Sequence, residues 1–420
     1  MGKRRVQHMQ HCLECIVCAQ RYNPDEVVYT CRNCGSLLDI HYEYEELIKY
    51  IDPAQWHKRP FGVWRYRELL PVDERYLVSL EEGGTSLQKC RRLAERVGLD
   101  NVYVKNEGEN PTGSFKDRGM TVGVTKACSL GAKVVACAST GNTSASLAAY
   151  AAKAGLRAIV FVPSGKISLG KLSQAIAHGA EIIRLKDNFD AALRTVFNIT
   201  LSNPDIYLLN SVNPYRIEGQ KTAAFEIYQQ LGNTVPDNLI VPVGNAGNIS
   251  AIWKGFVELK KLGLAERLPR MMGIQAEGAA PIAHAFKKKA SIVEPISYPE
   301  TLATAIRIGA PASWRKALNA VYNSNGLVET VNDQEILNAQ REIARLEGLF
   351  IEPASAASIA GLSKLSVQGE IERDQVTVCV ATGHGLKDPD IVISRYELPS
   401  EVDFGGMRPE EVLKLLEVTL

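Results

Sequence analysis

From residue 85 onward, short runs of apolar and β-branched residues alternate with longer stretches in which apolar residues recur every three or four positions. The short runs predict strands over 102–105, 134–138, 158–162, 181–185, 206–210, 239–243, 271–275, 327–331 and 376–380. The longer stretches predict helices over 144–154, 168–178, 215–231, 249–262, 333–347 and 354–365. Hydrophobic strands separated by helices belong to a largely parallel sheet covered on both faces, which is an α/β fold. In such a sheet, ligands gather beyond the carboxyl ends of the strands. Chemistry is therefore expected in the loops that follow strands.

The first 80 residues break this rhythm. Cys12, Cys15, Cys18, Cys31 and Cys34 fall there, and the pairs Cys15/Cys18 and Cys31/Cys34 are two C-x-x-C knuckles separated by twelve residues. Two such knuckles can bring four thiolates to one tetrahedral zinc and stabilise a segment too small for a core of its own. Metal-free cysteines and a redox role are the competing readings, and Cys12 is a spare. A closed four-cysteine site leaves zinc no open position, so its expected role is structural. Cys90, Cys128, Cys137 and Cys379 sit among apolar or helical neighbours as small core residues. Residues 46–80 form a connector in which Trp56, Phe61, Trp64 and Tyr66 alternate with prolines and with Lys58, Arg59, Arg65 and Arg67. Rings interleaved with cations can stack on single-stranded nucleic acid, but packing across a domain or a partner subunit is the favoured reading.

Composition narrows the class. Over 420 residues, 45% hydrophobic and 23% charged residues with a net charge of +1 describe an ordinary globular chain without a basic field for nucleic acid or anionic membrane. The richest apolar stretch, 146–163, is interrupted by Lys153 and Arg157, and no apolar segment follows the basic residues 1–5. A cytoplasmic enzyme is expected, with neither membrane nor nucleic acid as partner.

Five loops carry candidate chemistry. Residues 110–120 read NPTGSFKDRGM, a turn and then a helix start, with Ser114 and Asp117 at capping-box spacing and Lys116 just inside the helix. Alone, Lys116 reads as a surface lysine. Ser139, Thr140, Gly141, Asn142 and Thr143 open a helix whose unpaired N–H groups favour an anion, with simple N-capping as the alternative. Gly244, Asn245, Ala246, Gly247 and Asn248 open another, and their glycines would let the backbone approach a phosphate closely. That loop has neither the Walker A residues nor the dinucleotide-binding spacing, so nucleotide is not the expected ligand. Ser211 and Arg216 follow strand 206–210, where Arg216 either meets an anion bidentately or lies on the surface. Thr382 and His384 follow the last strand, and no partner makes His384 part of a hydrolase triad.

Together these stretches resemble the fold type II enzymes that use pyridoxal 5′-phosphate, and within them the threonine synthase family. The resemblance rests on NPTGSFKDRGM at 110–120, ASTGNT at 138–143, NSVNPYRIEGQKT at 210–222, GNAGN at 244–248, ATAIRIGAPASW at 303–314, EPASAA at 352–357 and TGHGLKD at 382–388. It covers roughly residues 60–395, and the cysteine-bearing start also resembles an extension found on some family members. Ala310 departs from it, standing where the family's run has asparagine.

The resemblance implies a two-lobed core of open, mostly parallel twisted sheets with helices on both faces. It would follow a zinc-ribbon-like module at 1–45 and the connector at 46–80. The core would span 81–400, with a small lobe at about 117–215, a large lobe from 81–116 plus 216–400, and a tail at 401–420 with an amphipathic helix over 409–419. It implies that Lys116 carries the Schiff base to the cofactor and moves the protons, and that Phe115 packs beside the ring. Asn142 would meet the ring's 3′ oxygen, Thr382 its nitrogen, and Gly244, Asn245, Ala246, Gly247 and Asn248 its phosphate. Ser139, Thr140, Thr143, Ser211 and Arg216 would hold a substrate phosphate. The implied reaction turns O-phospho-L-homoserine and water into L-threonine and phosphate by γ-elimination and β-addition of water, in a cytoplasmic homodimer. A relative acting on O-phosphoserine, as cysteate or cysteine synthases do, is the alternative within the fold. A nucleic-acid-binding protein with an inactive core is the alternative outside it.

Overall fold

The computed structural model describes residues 11–163, 169–186, 196–200, 203, 205–394, 406–408 and 410–414. In chain order the strands are β1 (His11–Cys15), β2 (Arg21–Tyr22), β3 (Leu38–Tyr42), β4 (Leu87–Lys89), β5 (Asn101–Asn106), β6 (Val134–Ala138) and β7 (Arg157–Pro163). They continue with β8 (Glu181–Leu185), β9 (Ile206–Leu208), β10 (Asn238–Pro242), β11 (Arg270–Ala276), β12 (Leu327–Val331) and β13 (Val376–Ala381). Three sheets result: β2-β1-β3, β12-β11-β10-β13-β5-β4 and β8-β7-β6-β9. The last two are parallel throughout except for β4, which runs antiparallel to β5 at the edge.

Burial explains why the parallel strands read as unbroken apolar runs. In β10, Leu239 and Val241 enter one core while Ile240 enters the other; in β13, Val378 and Val380 alternate with Cys379 and Ala381 in the same way. With both faces covered, no position along these strands calls for a polar residue. The smaller sheet encloses a third core around Val135, Cys137, Val160 and Leu208.

Several elements depart from the periodicity. The helix expected over 215–231 is two, Pro214–Gln220 and Thr222–Gln230, because the Thr222 hydroxyl donates to the Gly219 carbonyl and the turn tightens at Lys221. The strand expected to reach 210 ends at Leu208, and the Asn210 side chain continues its pairing by exchanging two hydrogen bonds of 2.9 Å with the backbone of Ala138. Edge strand β4 is too short to show a period, and the amphipathic helix Trp314–Asn323 is an addition to those expected. Residue 168 of the expected helix 168–178 lies outside the described residues, and that helix spans Leu169–Ala177. Of the tail helix expected over 409–419, residues 410–414 are described and helical, and the others lie outside the described residues. In the connector, Trp56 and Tyr66 are buried against Phe225 rather than displayed for stacking.

Two features bring the site's elements together. Helix Lys116–Ser129 crosses helix Pro214–Gln220 at backbone contact: a Cβ on Gly219 would lie 1.7 Å from the Arg118 carbonyl oxygen, so only glycine fits. Behind the crossing lies a fully buried charge network. The Arg118 guanidinium donates to Glu107 at 2.6 and 2.7 Å and to Glu226 at 2.6 and 2.7 Å, and the Lys105 amine donates to Glu226 at 2.7 Å. Burial opposes ionisation of Glu226, but Arg118 and Lys105 hold its carboxyl at about 2.

Glu226→Gln leaves Arg118 and Lys105 with a single carboxylate between them. It should cost about 3–5 kcal/mol, read as a lower urea midpoint. A carboxyl depressed in this way adds stability at neutral pH that fades as pH falls from its ordinary 4.5 toward about 2, so the gap between wild type and variant should shrink over that window. An unchanged midpoint would mean that the network carries no net stability.

Candidate active site

Lys116 opens its helix directly after Phe115, whose ring centroid lies 4.2 Å from the amine. The expected cap does not form. Ser114 Oγ is buried without a partner, and Asp117 turns away to accept from the Thr112 N–H and hydroxyl at 2.7 Å each and from the Ser146 hydroxyl at 2.5 Å. Burial pushes the Asp117 carboxyl up to about 6, although these three donors pull it down. What fixes the turn is instead the loop after β13. The Phe115 N–H donates to the Thr382 carbonyl at 3.0 Å, the His384 N–H to the Gly113 carbonyl at 2.9 Å, and Ser114 and Gly383 form an antiparallel bridge. Lys387 reinforces the join by donating to the Thr112 carbonyl at 2.8 Å. His384 packs edge-on against Phe350 and accepts from the Leu386 N–H, a structural role.

The Lys116 side chain is half-buried and its electrostatics are unusual. Burial lowers its amine to about 7; Arg216 pushes in the same direction and Glu352 opposes both. Glu352 accepts from the Asn142 amide at 3.0 and 3.1 Å and from the Thr382 hydroxyl at 3.3 Å, and Thr382 also meets the Ser355 hydroxyl at 3.0 Å. Phe115, Asn142, Thr382 and Lys116 are thereby linked in one cluster. Glu352 was not singled out in the sequence, because a glutamate before proline at a helix start looks like ordinary helix punctuation.

Two helix starts are able to hold an anion. In the first, Gly141 and not a hydroxyl occupies the cap of helix Asn142–Ala154. Ser139 Oγ accepts from the Gly141 N–H at 3.2 Å, and the Ser144 hydroxyl donates to the Gly141 carbonyl at 2.7 Å. With no side-chain cap, the first N–H groups of that helix keep their capacity for an anion. The Asn210–Ala138 pairing brings the start of the loop at Ser139 beside the start of the loop at Ser211, which leads into the helix that carries Arg216. In the second, Ala246 adopts φ 64° ahead of helix Gly247–Lys261, a left-handed turn that gathers successive N–H groups into a concavity. A Cβ on Gly244 would lie 3.0 Å from Ile306 Cα, Asn245 Oδ1 accepts from the Ala312 N–H at 3.1 Å, and Asn248 Nδ2 is buried with no partner.

Arg216 is the second unusual cation. It is buried, its Nε has no hydrogen-bond partner, and burial draws its guanidinium down to about 10. No carboxylate pairs with it among the described residues. A buried guanidinium without a counter-ion is costly unless an anion arrives.

The comparisons with known proteins agree with this geometry. The family model described as "Pyridoxal-phosphate dependent enzyme" matches residues 78–383. The chain belongs to the pyridoxal-phosphate-dependent enzyme family. It is 57% identical to a threonine synthase of Methanocaldococcus jannaschii over 96% of this chain and 99% of that one. It is 56% identical to a threonine synthase of Methanosarcina acetivorans over 93% and 96%. Among solved structures, maize serine racemase superposes with TM-score 0.62 at 19% identity over 86% of this chain and 99% of that one, which speaks for the fold.

The residues present fit pyridoxal phosphate. The group needs an amine that is partly neutral near pH 7, an anion cradle and a polar partner for its ring nitrogen. Lys116, the Ala246 turn with the unpartnered Asn248 amide, and the Thr382 hydroxyl could supply these. No helix among the described residues is long and apolar enough to cross a membrane.

The N-terminal cysteines form a separate centre. One sulfur from each of Cys15, Cys18, Cys31 and Cys34 lies within 4.8 Å of the others. The edge of a ZnS4 tetrahedron with bonds of about 2.3 Å is about 3.8 Å, and the contacts Cys15–Cys34, Cys18–Cys31 and Cys18–Cys34 are 3.4, 3.5 and 3.6 Å. Backbone N–H groups of Val17 and Cys18 point at Cys15 Sγ at 3.5 Å, and the Tyr22 hydroxyl donates to Cys31 Sγ at 3.2 Å, as donors do around thiolates. The set fits zinc. Cys12 lies in β1 opposite His41, outside the cluster.

In cofactor-free protein, the rate at which Lys116 captures added pyridoxal phosphate should rise with pH and level off just above the amine's value of about 7. In Arg216→Leu, loss of the neighbouring charge should move that inflection upward. Stopped-flow absorbance checks both, and an inflection near the ordinary 10.5 in the wild type would refute the depressed amine.

Proposed function

We propose that this chain is a threonine synthase that converts O-phospho-L-homoserine and water to L-threonine and inorganic phosphate, with pyridoxal 5′-phosphate held at Lys116. The observation that carries the substrate assignment is Arg216, a buried guanidinium without a carboxylate partner among the described residues. Cys137, two residues before Ser139, is close enough to Arg216 to act on its charge, and the Asn210–Ala138 pairing joins the loops that begin at Ser139 and Ser211. This supports a substrate-phosphate site formed with Ser139, Thr140, Thr143 and Ser211. A phosphorylated substrate supplies the missing anion. The names of the relatives above support the same choice.

Each residue has a task that its surroundings favour. The Ala246 turn and the start of helix Gly247–Lys261, with Gly244, Asn245, Gly247 and Asn248, hold the cofactor's phosphate by N–H groups. Phe115 would pack beside the ring, Asn142 would meet its 3′ oxygen and Thr382 its nitrogen. When bound, the cofactor supplies an electron sink for the pair released as the substrate loses its α-proton. Lys116, neutral in a large fraction near pH 7, takes that proton and can hand it on. Arg216 and the hydroxyls neutralise the phosphate as it departs from Cγ, and water's hydroxyl ends on Cβ. Glu352 keeps Asn142 and Thr382 oriented. Homodimeric assembly in the cytoplasm completes the reading, with no nucleic acid or membrane partner.

The test is phosphate release from O-phospho-L-homoserine with threonine identified as product. Arg216→Leu should lower kcat/KM roughly 30- to 1,000-fold, the equivalent of about 2–4 kcal/mol for a buried charge-assisted pair. Lys116→Ala should abolish turnover. Phosphate release from O-phosphoserine but not from O-phosphohomoserine would favour the cysteate or cysteine synthase reading instead.

A further inference from the structure

The cysteine module touches both halves of the anion-binding architecture. On one side, the Tyr29 hydroxyl accepts from the Leu208 N–H at 2.8 Å, the Tyr215 hydroxyl donates to the Pro24 carbonyl at 2.9 Å, and Lys126 lies 3.7 Å from Asp25. These contacts reach the smaller sheet, the helix that carries Arg216 and, through Lys126, helix Lys116–Ser129. On the other side, the Lys254 amine donates to Asp39 at 2.8 Å and to the Ile40 carbonyl at 2.7 Å, and the Lys316 amine donates to the Leu38 carbonyl at 3.0 Å. Lys254 belongs to helix Gly247–Lys261, whose first turn is the proposed cofactor-phosphate cradle. The Tyr42 hydroxyl and Lys254 also converge on Glu218, at 2.7 and 2.6 Å, two residues beyond Arg216. The module's apolar residues divide in the same way: Tyr29 joins the core of the smaller sheet, whereas Leu13, Leu38, Ile40 and Tyr42 join the core that contains Trp253 and Val241.

We propose that Cys15, Cys18, Cys31 and Cys34 bind one zinc ion and that the metal-folded module is a clasp, holding the Arg216 helix in register with the helix that starts at Gly247. The segment carrying Pro24, Asp25 and Tyr29 and the strand carrying Asp39 and Tyr42 flank the second knuckle, and the metal ties that knuckle to the first. A three-stranded sheet of five, two and five residues has little core of its own, so the metal supplies its rigidity. The metal touches no reactant; it acts on substrate affinity by positioning. Its effect on the active site rests on Arg216 and the Gly244–Asn248 loop being the anion sites proposed above, whereas zinc content and helix protection do not.

The test uses cofactor-loaded enzyme before and after removal of zinc by a chelator, to which exposed Cys18 and Cys34 give access. Metal analysis should find about one zinc per chain before treatment. After removal, backbone hydrogen exchange should quicken in 214–220 and 247–261 while 333–347 keeps its protection. The dissociation constant for inorganic phosphate should rise about tenfold, a coupling of ordinary size. Tyr215→Phe, which removes only the bond to the Pro24 carbonyl, should keep the zinc yet quicken exchange in 214–220. Zinc well below one per chain, unchanged exchange in the two helices, or equal quickening in 333–347 would each overturn the clasp. If zinc and exchange behave as expected but no threonine is formed from O-phosphohomoserine, the functional reading fails and the clasp stands.

Discussion

The buried quartet of Lys105, Glu107, Arg118 and Glu226 is the constraint on which the site depends. Arg118 lies two residues beyond Lys116 and is fixed by five hydrogen bonds to Glu107, Glu226 and Thr222. With that guanidinium immobilised, the first turn of the helix cannot rotate, and the direction of the Lys116 side chain follows. Glu107 stands just after β5 and Glu226 in helix Thr222–Gln230, so the quartet ties the lysine helix to the larger sheet. Two buried cations and two buried carboxylates make a neutral set, which is what allows such a group inside an apolar core.

The same economy of charge distinguishes two proposed phosphate sites. A resident phosphate can be held by backbone N–H groups, because their dipoles are fixed and need no counter-ion when the group is bound. A phosphate that arrives on a substrate and leaves carrying more negative charge gains from a full cation, and Arg216 is a buried cation with no carboxylate partner among the described residues. Arg216 also lowers the Lys116 amine, so the residue proposed to bind the substrate's anion helps keep the base neutral. Neutralising Arg216 with an anion then relieves that pressure, which couples substrate occupancy to the lysine's protonation.

Much of this was legible in the sequence, for a physical reason. Parallel strands buried on both faces are apolar along their length, and all nine expected strands exist, with 134–138, 181–185 and 327–331 matching end to end. Of these, 181–185 is a largely exposed edge strand whose β-branched run gave the signal instead. Loops that follow such strands carry glycine, asparagine and hydroxyl residues that stand out against the apolar background. What could not be read was anything set by contact across the fold. Ser114 and Asp117 had capping-box spacing, but pairing of residues 113–115 with 382–384 took over the turn and left Asp117 to Thr112 and Ser146. The antiparallel edge strand β4, three residues long, has no period to detect.

Glu352 shows the limit most sharply. Its local signal, a carboxylate before Pro353 at a helix start, matches a routine N-cap, yet it makes no side-chain cap bond. Instead it reaches Asn142 from the smaller sheet and Thr382 from the larger one, joining residues separated by more than two hundred positions in the chain. A Cβ on Gly383 would lie 2.7 Å from its Oε1, so the glycine after Thr382 makes room for this carboxylate. It also provides the negative charge that keeps Lys116 from being neutralised altogether by burial and Arg216. The amine therefore sits near 7 because burial, the largest influence, and Arg216 lower it while Glu352 raises it, and none of the three specifies the value alone.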